Sequence, residues 1–223
     1  MLGDPALIRI YYAKLVEFER GDRGKGARSL ANFMMPLFAL AQSRGGDAVT
    51  ENRAALLALV IYFGDPRFER LTGKVRTGSL QGHRRKGKQI RLDGRNDLML
   101  RFLVSAGLQL VSDHGAAMAI GEFKELLDST GGGTGFSFVD LGADRTGLRF
   151  AATATDPAGG AKRLQRVLAK AVSESAFFPR FRDLPERMPE ATFKSRFGGV
   201  EDGRYKAMVD KIDRRIDAVP AYR

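Results

Sequence analysis

Ala119-Ile-Gly-Glu-Phe-Lys-Glu-Leu-Leu-Asp-Ser-Thr-Gly-Gly-Gly-Thr-Gly-Phe-Ser-Phe-Val-Asp-Leu-Gly-Ala-Asp-Arg-Thr-Gly147 sets the reading of the whole chain. It predicts a helix, a glycine-rich reversal and a second helix. Ser137-Phe-Val-Asp140 has the form of a capping box, with Asp in place of Glu, so the second helix starts there. Glu122, Glu125 and Asp128 follow one another at intervals of three, and Asp140 and Asp144 lie four apart. Members so spaced share a helix face. A turn this short makes the two helices antiparallel neighbours, so several carboxylates are expected to converge in one cleft.

Carboxylates held together need a cation, a basic side chain or a raised pKa. Three arrangements satisfy that need. In a structural one, Asp128 and Asp140 terminate helices while Lys124, Arg145 and Arg149 neutralise the rest. In a metal site, the oxygens hold a hard divalent cation such as calcium or magnesium, without EF-hand spacing. In a catalytic one, Glu122 or Glu125 is a general acid kept protonated by an apolar wall. Asp140 or Asp144 is then the base or a metal ligand, as in glycoside hydrolysis.

Outward from this hairpin the chain predicts helices almost throughout. Asp4 caps a helix that begins at Pro5 and runs to about Arg20. Leu30, Phe33, Met34, Leu37, Phe38 and Ala41 mark the inner face of a second helix, kinked at Pro36. Thr50 caps a third, Glu51 to Phe63, apolar on nearly every side and therefore central. Asn96 caps Asp97 to Val111, Asp156-Pro157 opens a further helix, and Gly203 to Ala218 is the last. Between them, residues 177–202 carry Pro179, Pro185 and Pro189 with Phe177, Phe178 and Phe181. They predict an extended crossing that wraps the core. The expected fold is all-α: one domain over residues 1–223, with a helical core at 97–150, a basic loop at 73–95 and the extended wrap.

Totals exclude several chemistries. The 223 residues contain no Cys, which removes disulfides, thiolate zinc sites and a cysteine nucleophile. His83 and His114 stand outside any zinc spacing. Gly131-Gly-Gly-Thr-Gly135 lacks the Gly-Lys-Ser/Thr ending of a phosphate loop. No nucleophile elbow supports a triad through Ser137. No apolar run approaches the roughly 20 residues of a membrane helix, and Met1-Leu-Gly-Asp has none of the features of a signal peptide.

The formal charge is +11, and the excess is concentrated between Gly73 and Arg95, where Lys74, Arg76, Arg84, Arg85, Lys86, Lys88, Arg91 and Arg95 face only Asp93. Such a balance favours anionic partners. Nucleic acid is disfavoured, because the loop has no interleaved aromatic side chains to stack on bases.

Asp97, Phe102, Gly121-Glu-Phe-Lys-Glu125, Asp128, Gly135-Phe-Ser137 and Asp140-Leu-Gly-Ala-Asp144-Arg-Thr-Gly147 together resemble the core signature of VanZ-like proteins and related bacterial periplasmic lipoproteins. The likeness covers residues 97–150; the whole chain is also similar to a family of uncharacterised exported bacterial proteins. Where the pattern carries His, this chain has Arg101, which suits an ion pair with Asp97 one turn before it. The resemblance implies a soluble relative in the periplasm or outside the cell, and no particular activity. Two functions follow as expectations. One is a non-catalytic binding or scaffold protein for an anionic envelope polymer or a protein partner, using Arg84, Arg85, Lys86 and Lys88. The other is a carboxylate-based hydrolase of a wall glycan, with Glu122, Glu125, Asp140 and Asp144 as catalytic candidates. Asp97, Arg101, Lys124, Asp128, Ser137 and Arg145 are binding candidates beside them. No cofactor is expected beyond a divalent cation.

Overall fold

The helix that the sequence marks as apolar all round lies at the centre. A computed structural model describes residues 2–21, 27–82, 90–112, 135–171 and 173–223, and in it every residue from Ala54 to Gly64 is buried. This helix, α3 (Ala48–Leu59), starts three residues earlier than Thr50 predicts. Asp47 is the cap instead: its carboxylate accepts from the Thr50 N–H at 2.8 Å and the Thr50 hydroxyl at 2.7 Å. Its last turn widens into a π-helical segment, Val60–Gly64.

The remaining elements pack around α3. Helix α1 (Pro5–Gly21) begins where Asp4 accepts the Ala6 N–H at 2.8 Å, and it buries Ile8, Tyr11, Tyr12, Leu15 and Val16. Helix α2 (Ala31–Arg44) holds Pro36 within it and ends at Gly45 in the left-handed conformation that glycine favours. Asp65-Pro66 opens a short 3-10 turn that continues as α4 (Glu69–Thr72). Strand β1 (Arg28–Ser29) pairs in parallel with β2 (Ile90–Arg91) near the end of the basic loop. The fold is all-α, with these two-residue strands as its only named ones among the described residues.

Helices α5 (Asn96–Ser112) and α6 (Phe138–Ala154) form the most extensive helix pair. They approach so closely that a Cβ added to Gly147 would lie 2.2 Å from the Phe102 carbonyl oxygen. Helix α7 (Gly160–Leu168) starts later than predicted from Asp156-Pro157. Asp156 is spent on the turn before it, taking the N–H groups of Ala158 and Gly160 at 2.9 and 3.0 Å. Asn52, fully buried on α3, donates to the carbonyls of Ala154 and Ala161, each at 3.0 Å, and so fixes the junction of α6 and α7 to the centre.

The C-terminal crossing is irregular over 177–189, with a turn at 182–184 closed by the Leu184 N–H on the Phe181 carbonyl at 2.9 Å. Phe177, Phe178 and Phe181 enter the core, and Phe136 and Met188 pair as a short antiparallel bridge. Residues 190–197, expected to be extended, form helix α8 (Glu190–Phe197). Phe193 and Phe197, one turn apart, pack with Phe136, Phe138 and Tyr205, an apolar face that favours a helix despite the nearby prolines. Helix α9 (Gly203–Asp217) follows, and Tyr222 donates to the Phe177 carbonyl at 2.6 Å, closing the chain onto the core.

Gly147→Ala should force α5 and α6 apart and cost about 3 kcal/mol, lowering Tm by roughly 10 °C. Gly203→Ala, whose Cβ would meet nothing within 4 Å, should change stability by less than about 0.5 kcal/mol. Thermal melts of the two variants check the contrast.

Candidate functional site

Arg101, on α5, lies between two successive turns of α6. Its Nη2 is 3.0 Å from Asp140 Oδ2, and its Nη1 is 3.2 Å from Asp144 Oδ2. Ser105, one turn along α5, donates to Asp144 Oδ1 at 3.1 Å. The spacing of four that places both aspartates on one face therefore does bring them together, and the cation between them comes from α5. Ser137 caps α6 as expected, accepting the Asp140 N–H at 3.1 Å.

Two expected pairings are replaced by others. Asp97 and Arg101 do not form an intrahelical pair. Arg101 is taken by the aspartates of α6, and Asp97 meets Arg95 at 2.5 Å. Arg95 also reaches Glu186 at 2.7 Å and lies 3.6 Å from Asp140. Arg145 and Arg149 do not neutralise the cluster either. One residue advances a helix by about 100°, and from their positions they face α9, pairing with Asp213 at 2.5 Å and Asp217 at 3.0 Å.

Asp97, Arg101, Ser137 and Asp140 share the wall of a cavity of about 270 Å³ with Arg95 and Arg187. Asp144 is not in that wall. Burial lifts its carboxyl from 3.8 to about 6; Arg101 and the Ser105 hydroxyl pull it down, and the charge of Asp140 pushes it further up. Glu122, Lys124, Glu125 and Asp128 lie outside the described residues, as do Arg84, Arg85, Lys86 and Lys88. Among the described residues, no group of three acidic or histidine side chains could hold a metal ion. What this arrangement does chemically is hold two helices in register through one shared guanidinium. Asp140 reaches the cavity wall, and Asp144 does not.

A second site grows from the start of the basic segment. Glu69 accepts the N–H groups of Val75 and Arg76 at 2.8 and 2.6 Å and the Arg76 Nε at 2.7 Å, folding residues 73–76 back over α4. Burial alone would push the Glu69 carboxyl up, but these donors hold it below the usual carboxylate range. Arg9 adds a bond to the Lys74 carbonyl at 3.0 Å. The resulting cavity, about 430 Å³, is lined by Arg67, Arg70, Lys74 and Arg76 against the single acid Glu69. Asp65 and Glu69 occupy Arg67 and Arg76 at 2.7 Å each. Arg70 and Lys74 are exposed and have no acidic partner among the described residues. Reading the basic run as starting at Gly73 missed Arg67 and Arg70. The signal that could have found them was their place on the helical turn opened by Asp65-Pro66, one turn upstream of the run.

Comparison of the chain with protein-family models, with curated proteins and with solved structures finds no match.

Arg101→Leu should leave two half-buried carboxylates without their cation and destabilise the fold by about 2 kcal/mol in urea unfolding. Asp144 gives a pH signature. Between 3.8 and about 6 the folded chain holds the Asp144 proton more tightly than the unfolded chain does. Its stabilising contribution is therefore full below about pH 4 and lost as pH rises through about 6. Urea unfolding of the native chain and of Asp144→Asn should show the native chain losing stability relative to the variant across that window. Parallel curves would refute the assignment.

Proposed function

We propose that the protein is a non-catalytic binding protein of the bacterial cell envelope, periplasmic or secreted, and that it holds an anionic polymer against the cavity of α4 and residues 73–76. The observation that carries this reading is the lining of that cavity: four cations to one acid, with Arg70 and Lys74 left unpaired among the described residues. A polyanion could engage them without breaking a fixed ion pair, since Asp65 and Glu69 already hold Arg67 and Arg76. Helix α7 offers more of the same charge. Lys162 and Arg166, four apart on one face of it, and Lys170 in the turn that follows are exposed, and no acid pairs with them among the described residues.

The envelope setting rests on the resemblance carried by residues 97–150. Asp97 and Asp140 of that signature line one cavity with Arg101, which stands where the pattern carries His, and Asp144 pairs with Arg101. No helix among the described residues is long and apolar enough to cross a membrane. A carboxylate hydrolase is the second reading, favoured by the raised pKa of Asp144 with a second carboxylate, Asp140, on the same helix face. Its weakness is access, because Arg101 bonds both carboxylates and Asp144 does not line the cavity.

Binding to an acidic polysaccharide such as polygalacturonate should weaken steeply as salt rises. Arg70→Ser with Lys74→Ser should reduce affinity at least about tenfold at low salt, at about 1 kcal/mol for each surface cation. Neutralising Arg84, Arg85, Lys86 and Lys88 together should reduce it further. Calorimetry measures both, and unchanged affinity in the Arg70/Lys74 variant would remove this cavity from the binding surface.

A further inference from the structure

A third cavity, about 380 Å³, lies where α2, the turn after β2 and the segment at 173–180 meet. That volume is in the range of small-molecule sites. Neither the basic cavity nor the Arg101 cluster contributes to it, and nothing in the binding of a polyanion requires it.

Its back wall is a carboxylate held in an unusual way. Asp93 is the one acid of the basic segment; it is 8% exposed, and its backbone is left-handed at φ 48°. A non-glycine residue keeps that conformation only when its surroundings fix it. Here Glu174 accepts the Asp93 N–H at 2.7 Å, and Arg182 donates to the Asp93 carbonyl at 2.6 Å and meets Oδ1 at 3.0 Å. Asp93 Oδ2 is shielded from water and accepts no hydrogen bond among the described residues. Buried polar atoms are almost always paired, so an unpaired one beside a cavity calls for an explanation.

The other groups facing this space mix donors with acceptors. Glu174 takes the Ser29 hydroxyl at 2.5 Å and the Asp93 N–H, which fixes both its oxygens. Asn32 is exposed, and its amide has no partner among the described residues; Arg180 likewise has no acidic partner. Ser173 and Ser175 share one hydrogen bond at 2.7 Å, so one of the two hydroxyl protons remains to give. Phe178 supplies an apolar patch.

We propose that this cavity binds an uncharged polyhydroxylated ligand, a single saccharide unit, through Asn32, Glu174, Ser175 and Arg180, with Asp93 holding Glu174 in place through its N–H. A hydroxyl both donates and accepts, so neighbouring hydroxyls on one ring match neighbouring acceptors and donors on the wall. Asp93 and Glu174 repel a simple anion. A divalent cation is disfavoured because Arg180 and Arg182 stand beside the carboxylates, and Glu174 Oε1, Glu174 Oε2 and Asp93 Oδ1 already hold donors.

The test is an amide NMR titration of the full chain with glucose, N-acetylglucosamine, sodium acetate and calcium chloride in turn. The expected result is that one or both sugars shift the Asn32, Asp93 and Ser175 resonances with a dissociation constant of about 1 mM or below. Acetate and calcium chloride should leave those resonances in place. Asn32→Ala should weaken sugar binding by about fivefold or more, and Glu174→Gln by more than that. Asn32 is exposed, so its variant keeps the test decisive if Glu174→Gln fails to fold. The proposal is overturned if neither sugar moves these resonances, if acetate or calcium chloride moves them as much, or if Asn32→Ala binds sugar as the native chain does.

Discussion

The guanidinium of Arg101 is the fixed point from which the α5–α6 half of the molecule is set out. It joins Asp140 and Asp144, two consecutive turns of α6, to the middle of α5, and Ser105 completes the contact one turn further along. A slide of one helix past the other would strand at least one half-buried carboxylate, and stranded charges in poorly hydrated surroundings cost several kcal/mol. The ion triad thus selects the register. Gly147 then allows that register to close, because only a residue without Cβ lets α6 approach the Phe102 carbonyl. Phe102, held there, meets Phe150, Phe177 and Phe178, so the same register places the C-terminal crossing.

Charge is distributed unevenly around this scaffold, and the distribution separates structural ions from available ones. Around the Arg101 cluster, acids and bases bond one another across element boundaries: Arg95 to Glu186, Arg145 to Asp213 and Arg215 to Asp183 at 2.6 Å. Such pairs orient the crossing and α9 against α5 and α6. At α4 and along α7 the acids run out. There the chain presents cations whose attraction reaches into solvent, so that the basic excess visible in the totals becomes local and directional.

The sequence made most of the helices legible because their apolar spacing and caps agree. Helix α1 starts at its Asp-Pro signal, α6 starts at Ser137, and the apolar run from Ala54 to Gly64 is buried throughout. The misses have physical causes. The start of α3 was misplaced because Asp47 and Thr50 are both good caps, and only geometry shows Asp47 bonding Thr50. Helix α8 was hidden by flanking prolines, although Phe193 and Phe197 kept helical spacing. At the site, periodicity placed Asp140 and Asp144 together but could not identify the partner of either. Whether Arg101 bonds Asp97 on its own helix or Asp144 on the next depends on helix rotation. Long-range pairs of this kind leave no mark in local spacing. Asp93, Glu174 and Asn32 meet from segments far apart in the chain, so no motif could announce them.

Two of the cavities differ in a way that bears on what an anionic polymer would offer. The cavity of α4 presents four cations on long side chains to one acid, two of the cations unpaired among the described residues, which suits a ligand recognised by charge rather than by shape. The cavity at Asp93 presents the short side chains of Ser29, Asn32, Ser173 and Ser175 beside Arg180 and a Glu174 carboxylate held by the Ser29 hydroxyl and the Asp93 N–H. Fixed short groups read hydroxyl geometry, and exposed long cations read charge density, because preorganisation lowers the cost of ordering only in the first case. A polymer of charged sugars carries both features along one chain. A protein that met such a polymer would gain selectivity from having the two kinds of recess, and attraction from having a surplus of cations outside both.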